Sequence, residues 1–187
     1  MASALLIMDV QRGIVDRYAD DHDYLPRLGQ ARDAARAAGM PVIYVAVGFR
    51  PGFPEISARN KTFAAVRDSA AFANFDATTA IHPDVAPADG DVVVTKRRVS
   101  AFAGSDLDVV LRAGNIDTLV LTGIATSGVV LSTLRQAADL DYRLVVLADG
   151  CLDSDAEVHR VLTEKVFPRQ ADVLTVSEWI DQVKQSG

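Results

Sequence analysis

Thr118 to Asp139 reads TLVLTGIATSGVVLSTLRQAAD, a strand, a turn and a helix in 22 residues. Thr118 to Thr122 is a short run of leucine and β-branched residues that stops at a glycine, the pattern of a central parallel strand covered on both faces. Gly123 to Gly128 is a tight turn of small residues, and a helix follows to about Asp139. The first N–H groups of a helix launched this way have no partner within the helix. They point toward the strand ends, a place suited to negative charge, including an oxyanion that develops during a reaction.

The same alternation recurs on both sides of this stretch. Ala4 to Val10 (ALLIMDV) is an apolar run broken only by Asp9. Tyr24 to Ala38 carries Leu25, Leu28, Ala31, Ala35 and Ala38 at helical spacing and stops at Gly39. Val42 to Val47, Asp91 to Thr95, Arg143 to Ala148 and Asp172 to Val176 read as further strands. Leu107 to Ala113, Asp155 to Lys165 and a segment from Ser177 onward read as helices, and Phe63 to Phe75 has room for one short helix. Gly48 to Asn60, rich in proline and glycine, is a loop, and Asp76 to Gly90 is a mostly irregular connection. Strands alternating with helices at this rhythm predict a parallel sheet with helices on both faces. No repeat, low-complexity tract or linker interrupts it, so residues 1–187 are expected to form one α/β domain.

Composition narrows the function classes. A formal net charge of −6 leaves no basic excess to neutralise phosphates, which argues against nucleic acid as a partner. The run Lys96-Arg97-Arg98 is local. The single cysteine, Cys151, excludes an intrachain disulfide framework and fits a reducing cytosol. The first apolar run lacks a basic leader and is far too short to span a bilayer, so a cytoplasmic protein without a membrane partner is expected.

Ligands of open parallel sheets bind outside the carboxyl ends of the strands. The polar residues there are Asp9, Lys96, the Gly123 turn and Asp149. Each has a plain alternative: Asp9 as a loop or cap residue, Lys96 as a solvated lysine, Asp149 as the cap of the next helix. Their shared position is what makes an acid, a base and backbone N–H groups in one crevice a candidate for catalysis. His22, His82 and His159 lack ligand spacing, so no metal is expected. Without a glycine-rich phosphate loop no nucleotide is expected either, and the expected cofactor set is empty.

Three separated motifs, LLIMDVQ at Leu5 to Gln11, TKRRVSAF at Thr95 to Phe102 and LVLTGIATSGVVLSTLRQAADLDYRLVVLADGC at Leu119 to Cys151, resemble the isochorismatase-like hydrolase, or cysteine hydrolase, superfamily. The resemblance implies a Rossmann-like three-layer α/β/α sandwich around a six-stranded parallel sheet, a small-molecule substrate, and assembly as a homodimer or homotetramer. It implies roles for Asp9 and Lys96 as the catalytic aspartate and lysine, and for Ile124-Ala125 as the pair, usually joined by a cis peptide, that shapes an oxyanion hole with residue 129. Gln11, Phe49, Arg50 and Phe102 are its expected pocket residues. The family pattern G-x-x-T-x-x-C-V places Val129 where amidase members carry their nucleophilic cysteine, and valine cannot attack a carbonyl. Ser127 would point away from that position, Ser132 and Thr133 lie nearly a turn further on, and Cys151 follows the next strand. True isochorismatases also lack the thiol and hydrolyse a vinyl ether by acid catalysis, but they carry glycine there. The sequence thus leaves open a hydrolase working through Asp9 and Lys96 without a thiol, a non-catalytic binder or assembly subunit, and an amide hydrolase using Cys151 or a serine.

Overall fold

The computed structural model describes residues 2–18, 21–69, 72 and 78–186. Its six strands are β1 (Ala2–Met8), β2 (Val42–Val47), β3 (Val92–Lys96), β4 (Ile116–Ile124), β5 (Arg143–Leu152) and β6 (Asp172–Leu174). They form one sheet in the order β3-β2-β1-β4-β5-β6, every pair parallel. Seven α-helices connect them among the described residues: α1 (Arg12–Val15), α2 (Tyr24–Ala37), α3 (Lys61–Asp68), α4 (Leu107–Ala113), α5 (Leu131–Asp139), α6 (Ala156–Val161) and α7 (Val176–Ser186).

The central strand explains the layering. Leu5, Leu6, Ile7 and Met8 are all buried, because alternate side chains of β1 face opposite layers. Ala4, Leu6 and Met8 pack with Leu107 and Leu111 of α4 and Leu134 and Ala137 of α5. Leu5 and Ile7 pack with Leu28, Ala31 and Ala35 of α2 and with Val176 and Trp179 of α7. Each fully buried Leu, Ile or Met contributes about 1.5–3 kcal/mol, so this strand anchors both layers. The architecture is a three-layer α/β/α sandwich. No helix among the described residues is long and apolar enough to cross a membrane.

Several boundaries differ from the sequence expectation. β5 continues through Asp149 and Gly150 to Leu152, so Cys151 lies within the strand, paired in register with Gly123, and does not follow it. The strand can continue because β4 also runs past Thr122 and offers Gly123 and Ile124 as partners. Asp149 does not cap the following helix. Its Oδ1 accepts 2.7 Å from the Val176 N–H at the start of α7, while Asp155 caps α6 by accepting from Glu157 and Val158. Within Phe63 to Phe75 the helix seen is α3, and positions 70, 71 and 73–77 lie outside the described residues.

Candidate active site

The strand order puts a crossover between β1 and β4, and the candidate residues gather at the carboxyl ends around it. Asp9 is the first residue beyond β1 and adopts a positive φ of 57°, while its N–H donates 2.8 Å to Val45 O. Lys96 is the last residue of β3, on the same side as Val94, in register with Val47. β2 lies between them, so the two backbones are two strand spacings apart, about 10 Å. Only a long side chain can cross that gap. The lysine stem does so, and its Nζ sits 2.9 Å from Asp9 Oδ2. Nζ also donates 2.9 Å to Arg98 O.

This pair is nearly dry: 6% of Asp9 and 2% of Lys96 are exposed. Burial pushes the Asp9 carboxyl above its ordinary range, against the opposing pull of the Lys96 ammonium, its hydrogen bond and the nearby Val47 N–H. The second carboxylate oxygen, Oδ1, is buried without a hydrogen-bond partner in the described structure. An orphaned buried acceptor costs about 1–3 kcal/mol, and more when charged.

Gln11 braces the same corner. Its side chain donates to Val47 O at 3.0 Å and Thr79 O at 2.7 Å and accepts from Val47 N at 2.9 Å. All three contacts are to backbone, so the amide ties the end of β2 to the segment after β1. Phe49 is fully buried against Phe53 and Phe63, and Phe102 lies beside Tyr142 in the same apolar cluster as Val129. The Arg50 guanidinium is directed outward, largely exposed, and pairs with Glu55.

On the other side stands the turn after β4. Gly123 has φ 140°, and a Cβ there would meet Met8 O at 2.2 Å, so only glycine lets β4 pass this close to β1. The Ile124–Ala125 peptide is cis. Thr126 to Val130 then form a wide π-type turn, with Gly128 and Val130 both donating to Ala125 O. Two further contacts hold the turn from α6 and the end of β5. Thr126 Oγ1 lies 2.8 Å from His159 Nδ1, and Ser127 N donates 2.7 Å to Asp153 Oδ2. Burial lowers the pKa of His159, partly offset by Asp153, which favours the neutral imidazole. The N–H groups of Ser127, Gly128 and Val130 thus all have acceptors within the protein. Val129 is 2% exposed and belongs to the cluster containing Met8, Val94, Ala101 and Phe102.

The hydroxyls of Ser127 and Thr133 and the thiol of Cys151 near the turn are exposed, hydrogen-bonded or buried in the strand. Ser127 is exposed where Val129 is buried, and Thr133 Oγ1 accepts from the Ala101 N–H. Cys151 is buried in β5, and burial pushes the pKa of its thiol up to about 12. No group of three or more His, Cys, Asp or Glu side chains among the described residues has the geometry to hold a metal.

The sequence named Asp9, Lys96, Gly123 and Val129 as candidates, and the bracing contacts were not legible in it. Gln11 followed from its motif, though nothing in its neighbours showed that its amide would be spent on Val47 and Thr79. The Thr126–His159 and Ser127–Asp153 contacts left no periodic signal, because both cross from one βα unit to the next.

The isochorismatase domain family matches residues 3–178. An isochorismatase family protein of Bacillus subtilis (strain 168), YwoC, is 33% identical over 182 residues, covering 97% of this chain and 94% of that protein. The ureidoacrylate amidohydrolase RutB of Stutzerimonas stutzeri (strain A1501) is 35% identical over 206 residues, covering 97% and 79%. Among solved structures, a cysteine hydrolase from Pseudomonas syringae pv. phaseolicola 1448A superposes with a TM-score of 0.89 over 99% of this chain and 93% of that one; at 23% identity this is a likeness of fold. The chain belongs to the isochorismatase-like hydrolase family.

Proposed function

We propose that this protein hydrolyses a small molecule through Asp9 and Lys96 without a covalent intermediate, and that the bond cleaved is of the enol-ether type. The observation that carries the reading is the state of the Asp9 carboxyl. One oxygen is held 2.9 Å from Lys96, and the other is buried with no partner. A buried carboxyl with its pKa raised and one oxygen uncommitted is suited to hold a proton and to deliver it. In the proposed reaction Asp9 protonates the alkene carbon of the enol ether, giving an oxocarbenium ion. Water adds to that ion and returns a proton to the Asp9 carboxylate, and the hemiketal collapses to an alcohol and a carbonyl compound. Lys96 stabilises the carboxylate between the two proton transfers.

Amide hydrolysis of the kind named for the ureidoacrylate relatives is disfavoured by Val129 and by the burial of Cys151. A doubly negative substrate is disfavoured too. Arg97 and Arg98 donate to the carbonyls of Gly48, Arg97 and Glu55, and Arg50 pairs with Glu55, so these cations are committed. A second reading, a non-catalytic small-molecule binder or assembly subunit, is favoured by closure, since Asp9, Lys96 and Val129 are almost wholly buried.

A panel of uncharged enol ethers, amides and carbamoyl compounds, assayed with native protein, Asp9→Asn, Lys96→Met and Val129→Cys, separates the readings. Enol-ether turnover that disappears in Asp9→Asn is the expected result. Turnover surviving in Asp9→Asn would sink the mechanism, and binding without turnover of any panel member favours the binder.

A further inference from the structure

The basic run contributes more than Lys96. Arg97 and Arg98 reach the loop between β2 and α3, residues 48–60, and hold it at two points. Arg97 donates to Gly48 O where the loop begins, and its Nε lies 3.5 Å from Glu55 Oε1. Arg98 donates 2.7 Å to Glu55 O, and its guanidinium lies 5.9 Å from the centroid of the Phe63 ring. Glu55 also accepts 2.6 Å from Arg50, and its own side chain is mostly buried. Beneath these contacts Phe49, Ile56 and Phe63 close over Val47, the register partner of Lys96. The Arg98 carbonyl accepts from Lys96 Nζ, so this residue touches the loop through its guanidinium and the Asp9–Lys96 pair through its backbone.

A ligand must reach the carboxyl ends of the strands, where Asp9 and Lys96 are almost wholly buried and Lys96 is joined to the loop's attachment through the Arg98 carbonyl. The loop contains no helix or strand, is bounded at Gly48, and bends at Gly52 with φ 79°. It is attached by these polar contacts and by the buried cluster of Phe49, Ile56 and Phe63, so both must give way for it to open. We propose that the 48–60 loop is the entrance gate of this site and that the Arg97–Glu55–Arg98 clasp is its latch. The proposal stands on the closure of the site, whichever reaction takes place there.

The test places a thiol at the buried position 129. In Val129→Cys, alkylation by iodoacetamide is followed by intact mass and peptide mapping, with the urea-denatured chain giving the unprotected rate. Cys151, buried in β5, reports on opening of the whole fold. With the latch intact, the thiol introduced at position 129 is expected to react at least tenfold more slowly than in the denatured chain. Adding Glu55→Gln, or independently Arg98→Met should the first variant not fold, is expected to accelerate that thiol by tenfold or more while Cys151 stays within twofold. Acceleration below tenfold in both variants overturns the proposal, as does an introduced thiol that already reacts at the denatured rate. Parallel acceleration of Cys151 also overturns it, because the opening would then be global.

Discussion

The Asp9–Lys96 pair gives the sharpest prediction because its two charges are both close and dry. They are 2.9 Å apart, with side chains 9% and 3% exposed. Lys96→Met keeps most of the stem but leaves a buried carboxylate whose Oδ1 is already without a partner. Asp9→Asn leaves a buried ammonium facing an amide. Asparagine is the right replacement, since it tolerates the left-handed backbone that Asp9 adopts at φ 57°. Breaking a buried pair from one side costs about 3–5 kcal/mol. The double variant carries no charge there and retains one poorly satisfied amide, so it costs about 1–3 kcal/mol. The coupling energy should therefore be about 3 kcal/mol or more, measured by urea unfolding at pH 7 with matched slopes. The Lys96→Met penalty should also depend on pH. Without the ammonium the folded-state pKa of Asp9 lies still further above its ordinary value, so the folded chain holds a proton that the unfolded chain has lost. Stability of this variant thus rises as pH falls through the folded pKa and levels off near the ordinary value of 3.8. Single-variant costs that sum to the double within about 0.5 kcal/mol would refute the reasoning, because independent groups add to that accuracy.

Three further outcomes follow from the same geometry. Under the proposed chemistry the protonated form of Asp9 is the active one, so turnover falls as pH rises through its raised pKa, and Asp9→Asn lowers kcat by about 10²–10⁴-fold; a rate that climbs with pH would contradict the acid role. Gly123→Ala drives a Cβ to 2.2 Å from Met8 O and should cost more than about 4 kcal/mol, read as loss of soluble protein or of a cooperative melt. Gln11→Leu removes the hydrogen bonds its amide makes to Val47 N, Val47 O and Thr79 O, each worth about 0.5–1.5 kcal/mol, so a fall in Tm is expected. A variant as stable as the parent would show that water or a shifted backbone replaces the amide.

Local pattern carried most of the architecture. Buried parallel strands are written as continuous apolar runs, and their ends are marked by the first polar residue, so Asp9 and Lys96 could be placed at strand ends directly, whereas β4 continues through Gly123 to Ile124. The boundaries that failed were those set by a neighbour. β5 reaches Leu152 because β4 extends beside it, and Asp149 bonds the start of α7 because β6 brings that helix alongside.

The alternation of six strands with helices, the parallel sheet and the valine at position 129 are properties of single residues or of their immediate periodicity, whereas the short helix α1 left no such signal. Only the tertiary structure decided that Lys96 crosses the width of β2 to reach Asp9, that Gln11 spends its amide on backbone, and that Arg97 and Arg98 face a loop. Those contacts join segments far apart in the chain, and the partner of a polar side chain depends on strand order and register, which no local pattern encodes.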